Sequence, residues 1–66
     1  MQLIVNDEEI TTEAGSVDKL LRERLGEVPA GTAVAVNSDV VPRSEWETTM
    51  LDDGATVDIL TAVQGG

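Results

Sequence analysis

The stretch that decides the fold is SVDKLLRERLG, residues 16–26, because it carries a helical repeat. Its apolar residues recur at spacings of three and four, so they share one face of a helix. They are Val17, Leu20, Leu21 and Leu25. Ser16 is a good N-cap residue, and Gly26 can adopt the left-handed conformation that ends a helix. We therefore predict one amphipathic helix from about residue 16 to residue 25.

Two strands are predicted before this helix. MQLIV, residues 1–5, has the period-2 pattern of a strand. Asn6 and Asp7 are turn formers, and the residues at 10–12 are β-branched. This combination predicts an antiparallel hairpin.

A second pair of strands is predicted after the helix. AVAV, residues 33–36, has the small and β-branched side chains of a strand, and turn formers at 37–39 end it. Val40 and Val41 predict a further strand. It should be short, because the next residue, Pro42, has no amide hydrogen to donate to a sheet.

The next segment is predicted to hold a helical turn and the last strand. Ser44 and Glu47 have the spacing of a capping box, which predicts a single helical turn that begins at Ser44. Trp46, the one aromatic residue, is assigned to core packing because no second aromatic residue shares a binding role with it. The sequence DDG at 52–54 predicts a turn, and a strand that ends near residue 63 follows it.

A single helix covers only one face of a sheet, so this element order predicts the α+β class. We expect a roll in which one main helix packs on one face of a mixed sheet of four to five strands. A chain of 66 residues cannot divide its core, so residues 1–66 are predicted to form one domain with a flexible tail at 64–66.

The composition excludes several classes of function. The chain has no cysteine and no histidine, so it cannot form a Ser-His-Asp or Cys-His arrangement or the usual zinc site. Its net charge of -9 repels nucleic acid and anionic lipid, and no stretch approaches the roughly 20 apolar residues of a membrane span. The missing cysteines and the absence of a leader-like segment at Met1 predict a cytoplasmic protein.

Two acidic pairs, Glu8 with Glu9 and Asp52 with Asp53, lie in predicted turns. Turns are exposed to water, so we interpret both pairs as solvated turns and not as acid/base catalysts. DDG at 52–54 also matches a fragment of a calcium loop, but the remaining ligand spacing is missing. No metal site is assigned.

The chain closes on Gly65 and Gly66, which have no side chains to pack or pair. Two glycines at a terminus also occur by chance, so their meaning depends on the rest of the chain. Four stretches supply that context: MQLIVND at 1–7, AVAVN at 33–37, VPRSEW at 41–46 and LDDGATVDILTAVQGG at 51–66.

Together these stretches resemble the ThiS family, the sulfur carrier proteins of thiamine biosynthesis. The resemblance covers the whole chain and implies the β-grasp fold that the family shares with ubiquitin. The small subunit of molybdopterin synthase is similar at the DDG turn and the terminal glycines. The VPR-x-x-W segment resembles the thiamine carriers more.

The resemblance implies that this chain is not an enzyme but a sulfur carrier, which is itself the substrate of other enzymes. An E1-like, ThiF-like adenylyltransferase would use ATP and magnesium to activate the Gly66 carboxylate, while the chain itself binds no cofactor. The resulting thiocarboxylate would pass sulfur to a ThiG-like thiazole synthase, with a cysteine desulfurase as a possible sulfur donor. Gly65 would keep the tail narrow enough to enter the activating enzyme.

Strand parity predicts where a partner docks. The sheet face without the helix should carry Ile4, Ala35 and Leu60. The residues that alternate with them along the strands should face the core: Leu3, Val5, Val34, Val36, Val57 and Ile59.

Other functions stay open from the residues alone. The nearest alternative is a sulfur carrier for molybdopterin or for sulfur-amino-acid synthesis, which would use the same carboxylate chemistry. A ubiquitin-like interaction module with inert terminal glycines is the alternative from another class.

Overall fold

The computed structural model of the chain describes residues 1–61. The tail predicted at 64–66 therefore lies outside the described residues. The elements in chain order are β1 (Gln2–Val5), β2 (Glu8–Thr11), α1 (Val17–Leu25), β3 (Ala33–Val36), β4 (Asp39–Val41), a 3₁₀ helix (Arg43–Glu45) and β5 (Thr56–Leu60).

The strands form one mixed sheet in the order β2-β1-β5-β3-β4. Strand β5 pairs in parallel with β1 and antiparallel with β3, while the two hairpins, β1 with β2 and β3 with β4, are antiparallel. The predicted α+β class, the mixed sheet and the single main helix are confirmed. The last strand ends at Leu60, before the predicted position near residue 63.

Both hairpins turn through two residues with left-handed backbone. Asn6 and Asp7 have φ of 50° and 67°, and Asn37 and Ser38 have φ of 49° and 75°. Asparagine tolerates this conformation better than most residues, and two consecutive positive φ values suit the twist of paired strands. The predicted turn formers are confirmed, except that Asp39 already belongs to β4. The prediction that Glu8 and Glu9 lie in a turn is wrong, because both pair with β1 as residues of β2.

The helix is capped as its sequence predicts. The Ser16 hydroxyl accepts a hydrogen bond from the Lys19 amide at 3.3 Å, and Asp18 pairs with Arg22 at 3.1 Å. At the other end, Gly26 has φ of 71° and donates its N–H to the Arg22 carbonyl at 2.9 Å. Each terminus thus satisfies backbone groups that an uncapped helix leaves unpaired.

The core lies between this helix and one face of the sheet. Leu20 and Leu21 are fully buried in one cluster with alternate residues of the central strands. The predicted core parity is confirmed, with Val36 partly buried and the other five buried: Leu3, Val5, Val34, Val57 and Ile59.

The prediction that a helical turn begins at Ser44 is wrong. The turn is a 3₁₀ helix from Arg43 to Glu45, Pro42 precedes it, and no side chain caps it. The Pro42 carbonyl accepts the Glu45 amide at 2.8 Å, so the turn begins before Ser44. Proline favours this start because its fixed φ suits the entry to a helical turn.

Trp46 follows this turn and is 4% exposed, which confirms its assignment to the core. Its indole Nε1 donates to the Val41 carbonyl at 3.0 Å, so the buried ring has a hydrogen-bond partner. The Arg43 guanidinium lies 5.1 Å from the ring centroid, within the range of a cation–π contact. The VPR-x-x-W segment is thus a local packing unit.

The two serines predicted as caps provide a matched test of helix capping. Ser16→Ala should lower the free energy of unfolding by about 1 kcal/mol, because the Lys19 amide loses its acceptor. Ser44→Ala should change it by less than about 0.5 kcal/mol, because Ser44 caps nothing. Urea denaturation measures both, and an equal loss in the two variants would contradict the cap assignment.

Candidate functional site

Strand β5 leads to the end of the chain and lies in the middle of the sheet. It pairs with β1 through Thr56 and Val57, and with β3 through Val57 to Leu60. The residues after Leu60 therefore follow directly from the central strand of the sheet. Gly65 and Gly66, which the sequence predicts to be functional, lie outside the described residues.

The DDG motif sets the other end of β5. Gly54 has φ of 86° and donates its N–H to the Gln2 carbonyl at 2.6 Å. In return the backbone N–H of Gln2 donates to the Asp53 carboxylate at 2.6 Å. Asp52 and Asp53 are exposed, and this motif joins the start of β5 to β1.

The open face, defined as the sheet face opposite α1, carries an apolar groove. Ala35 and Leu60, both predicted as docking residues, line this groove together. Leu60 is 70% exposed and Val40 is 76% exposed. The remaining lining residues are Ala33, Val34 and Asp58.

Val40 is part of this groove, although the docking prediction omits it. It lies directly opposite Ala35 in the β3–β4 hairpin, and Ala33 lies opposite Leu60. Its neighbour Val41 is buried on the core side, and neighbouring residues of a strand point to opposite faces, so Val40 lies on the open face. Its closeness to Leu60 depends on the order of the strands, which local sequence does not encode.

Ile4, the third predicted docking residue, lies on the open face but apart from this groove. It pairs with Thr56, which is four residues before Leu60 on β5 and hence about 13 Å away along the strand. Ile4 is half-buried and lines a separate depression with Gln2, Leu3, Glu9 and Gly54. The structure therefore brings together two of the three predicted residues.

Residues 1–61 contain no group of three or more acidic side chains placed to hold a metal ion. Every buried side-chain nitrogen or oxygen in this part of the chain has a hydrogen-bond partner. No buried side-chain polar atom among these residues is therefore an unpaired candidate for a ligand contact.

No helix within residues 1–61 has both the length and the apolar composition needed to cross a membrane.

Comparison with known proteins decides the family. The model of the ThiS family matches residues 1–66. The chain belongs to the ThiS family. The sulfur carrier protein ThiS of Escherichia coli strain K12 is 33% identical over 66 residues, which is the full length of both chains. The resemblance seen in the sequence is thus confirmed, and the chain is assigned to these sulfur carriers.

Solved ThiS structures agree with the fold. The crystal structure of the ThiS protein from Geobacter metallireducens is 28% identical, covers all of both chains and superposes with a TM-score of 0.78. An NMR structure of a thiamine biosynthesis protein from the same organism, also 28% identical, gives a TM-score of 0.77. The match spans all of this chain and 88% of that one. The β-grasp fold is confirmed.

Proposed function

We propose that this ThiS-family chain carries sulfur as a thiocarboxylate on Gly66 and donates it for thiazole formation in thiamine biosynthesis. The full-length family match is the observation that carries the proposal. The absence of cysteine and histidine from the sequence also fits a chain that acts as a substrate of other enzymes and is not an enzyme itself.

The chemistry begins at the Gly66 carboxylate. One of its oxygens attacks the α-phosphorus of ATP, an oxygen–phosphorus bond forms, and pyrophosphate leaves with the electron pair of the broken bond. Hydrosulfide can then attack the acyl carbon, AMP leaves, and a thiocarboxylate remains. When an enzyme persulfide attacks instead, an acyl disulfide forms, and a thiol must reduce its S–S bond.

The glycines suit this chemistry because they have no β-carbon. A side chain at Gly65 or Gly66 would widen the tail and restrict its backbone where it has to approach the ATP phosphates. We therefore assign Gly66 as the modified residue and Gly65 as the residue that gives access.

The partners follow from the same proposal. They are a ThiF-like adenylyltransferase, which uses ATP and magnesium, a ThiG-like thiazole synthase, and a sulfur donor such as a cysteine desulfurase. This chain binds no cofactor in the proposed cycle. A cytoplasmic location stays a prediction.

We place the docking site for the activating enzyme on the apolar groove of the open face. The groove spans β3, β4 and the strand that leads to the tail, β5, and Leu60 and Val40 expose most of their surface there. The residues from 61 to 66 can span at most about 20 Å, so an enzyme seated on Leu60 has the Gly66 carboxylate within that distance. Ile4 contributes to the same interface only if the partner also covers its separate depression.

A non-conjugating interaction module is the competing hypothesis, since an apolar groove alone would serve it equally well. Thiol alkylation separates the two because the chain has no cysteine. After incubation with the ThiF-like enzyme, magnesium-ATP and a sulfur source, iodoacetamide should add one group, and tandem mass spectrometry should locate it at Gly66. Intact mass is less decisive, because exchange of oxygen for sulfur resembles oxidation of Met1 or Met50.

Two variants control this experiment. Gly65→Val should prevent alkylation, because its branched side chain obstructs the tail. Gly15→Ala should be alkylated normally, because a β-carbon there meets only the Met50 Cε at 3.9 Å. If the native chain is not alkylated with the ThiF-like enzyme, the sulfur-carrier mechanism is wrong and the interaction module is favoured.

Leu60→Glu tests the docking groove. The charge would have to be desolvated against an apolar partner surface, so affinity for the activating enzyme should fall at least about tenfold. Thr48→Glu adds the same charge at an exposed position away from the groove and should bind as the native chain does. Titration calorimetry measures both, and unchanged binding by Leu60→Glu would remove Leu60 from the interface.

A further inference from the structure

The first hairpin turn places a side chain against the backbone of β5, close to where the tail begins. The Ile59 amide donates to Asn6 Oδ1 at 2.8 Å, and Asn6 Nδ2 donates to the Ile59 carbonyl at 3.2 Å. One side-chain amide thus pairs with both backbone groups of a single residue. Only this orientation of the amide suits both bonds, because a backbone N–H can only donate and a carbonyl can only accept.

This contact extends the hydrogen bonding between β1 and β5 beyond the point where the backbone of β1 can take part. The backbone N–H of Asn6 donates to the Val57 carbonyl at 2.9 Å, but with φ of 50° the chain then turns away into β2. The Asn6 side chain therefore pairs with the backbone N–H and carbonyl of Ile59, in place of the backbone of a further β1 residue. A buried strand end without such a partner would leave polar backbone groups unpaired.

On the side away from β1, strand β5 is paired with β3 up to its last residue, Leu60. Strand β3 pairs Val34 with Ile59 and Ala33 with Leu60. With Asn6 in place, β5 is therefore anchored on both sides up to its last residues. Strand β5 ends at Leu60, and Thr61 is the last residue that the structure describes before the tail.

The second hairpin turn provides a natural control at the opposite end of the same strand. Asn37 has φ of 49°, its Oδ1 accepts the Thr56 amide at 3.0 Å, and its own N–H donates to the Thr56 carbonyl at 2.7 Å. The two asparagines thus share a turn conformation and a role beside β5. They differ in that, among residues 1–61, Asn6 donates a hydrogen bond from its side-chain N–H₂ group and Asn37 does not, and in that Asn6 lies at the tail end of β5.

We propose that Asn6 is a positioning residue for the Gly66 carboxylate, acting through the anchored end of β5. This inference rests on the proposed function. The reacting oxygen must come within about 3–3.5 Å of the phosphorus atom in a defined direction, and a misplacement of about 1 Å can cost about 100-fold in rate. Release of Ile59 on the β1 side would let the base of the tail move, while β3 would still hold Leu60 in the docking groove.

Asn6→Asp isolates this effect. Aspartate keeps the size of the side chain and the acceptor for the Ile59 amide, but it places an oxygen opposite the Ile59 carbonyl where the donor was. Asn37→Asp adds the same charge in the same type of turn and keeps the only bond that the Asn37 side chain makes to Thr56. The two variants therefore have the same added charge and the same type of turn, and they differ in whether the side-chain donor to β5 is lost.

The measurement is ATP–pyrophosphate exchange with the ThiF-like enzyme at varied carrier concentration. Asn6→Asp should lower kcat at least about fivefold and leave KM within about twofold, because the docking groove is intact. Asn37→Asp should stay within about twofold of the native chain in both constants. Amide hydrogen exchange at Ile59 should quicken at least about tenfold in Asn6→Asp and stay native-like in Asn37→Asp.

Asn6→Gly with Asn37→Gly is a second pair, in case aspartate prevents folding. Glycine accepts the positive φ of the turn and removes the side-chain bonds altogether, so the same pattern of kcat, KM and hydrogen exchange should appear.

Several results would overturn the positioning role. These are a native kcat in the folded Asn6 variants, an equal fall in the Asn6 and Asn37 variants, or a change in KM alone. In each case the native chain would still be activated, so the proposed function would stand. If the native chain itself supports no exchange, both the proposed function and the positioning role fail.

Discussion

The structure depends on the pairing of β5 with two neighbours at once, parallel to β1 and antiparallel to β3. This pairing buries Val57 and Ile59 beneath the helix and leaves Leu60 on the open face. The strand that completes the core is therefore the strand that leads to the end of the chain that we propose to react. Contacts that stabilise the fold and contacts that fix the start of the tail are largely the same contacts, and a small domain without disulfides has few others to rely on.

Local chemistry explains how much of this fold could be predicted from sequence. Ser16 and Gly26 cap the helix through groups within one turn of themselves, and Asn6 and Asn37 form turns through their own backbone preference. Ser44 misled the prediction because the capping-box spacing was present, whereas the Pro42 carbonyl had already begun the 3₁₀ turn. The spacing of a capping box does not show whether a helical turn begins at that serine or at a neighbouring residue.

The grouping of site residues could be predicted only in part, because it depends on contacts between distant parts of the chain. Parity indicates which face carries Ile4, Ala35 and Leu60, but only the strand order shows that Ile4 lies apart and that Val40 joins the other two. The contact of Asn6 with Ile59 spans 53 positions and has no local signal beyond a turn former. The proposal of a reactive end rests on family resemblance, since two glycines alone fit an inert terminus equally well.

The central claim is that the reacting group is the α-carboxylate of Gly66. It is tested most directly by comparing the native chain with one that ends in a carboxamide at Gly66, which keeps the 66 residues and removes only the carboxylate. With the ThiF-like enzyme and magnesium-ATP, we expect pyrophosphate exchange with the native chain and none with the amidated chain. Exchange at the native rate with the amidated chain would contradict the account, because it would show that the enzyme activates another group.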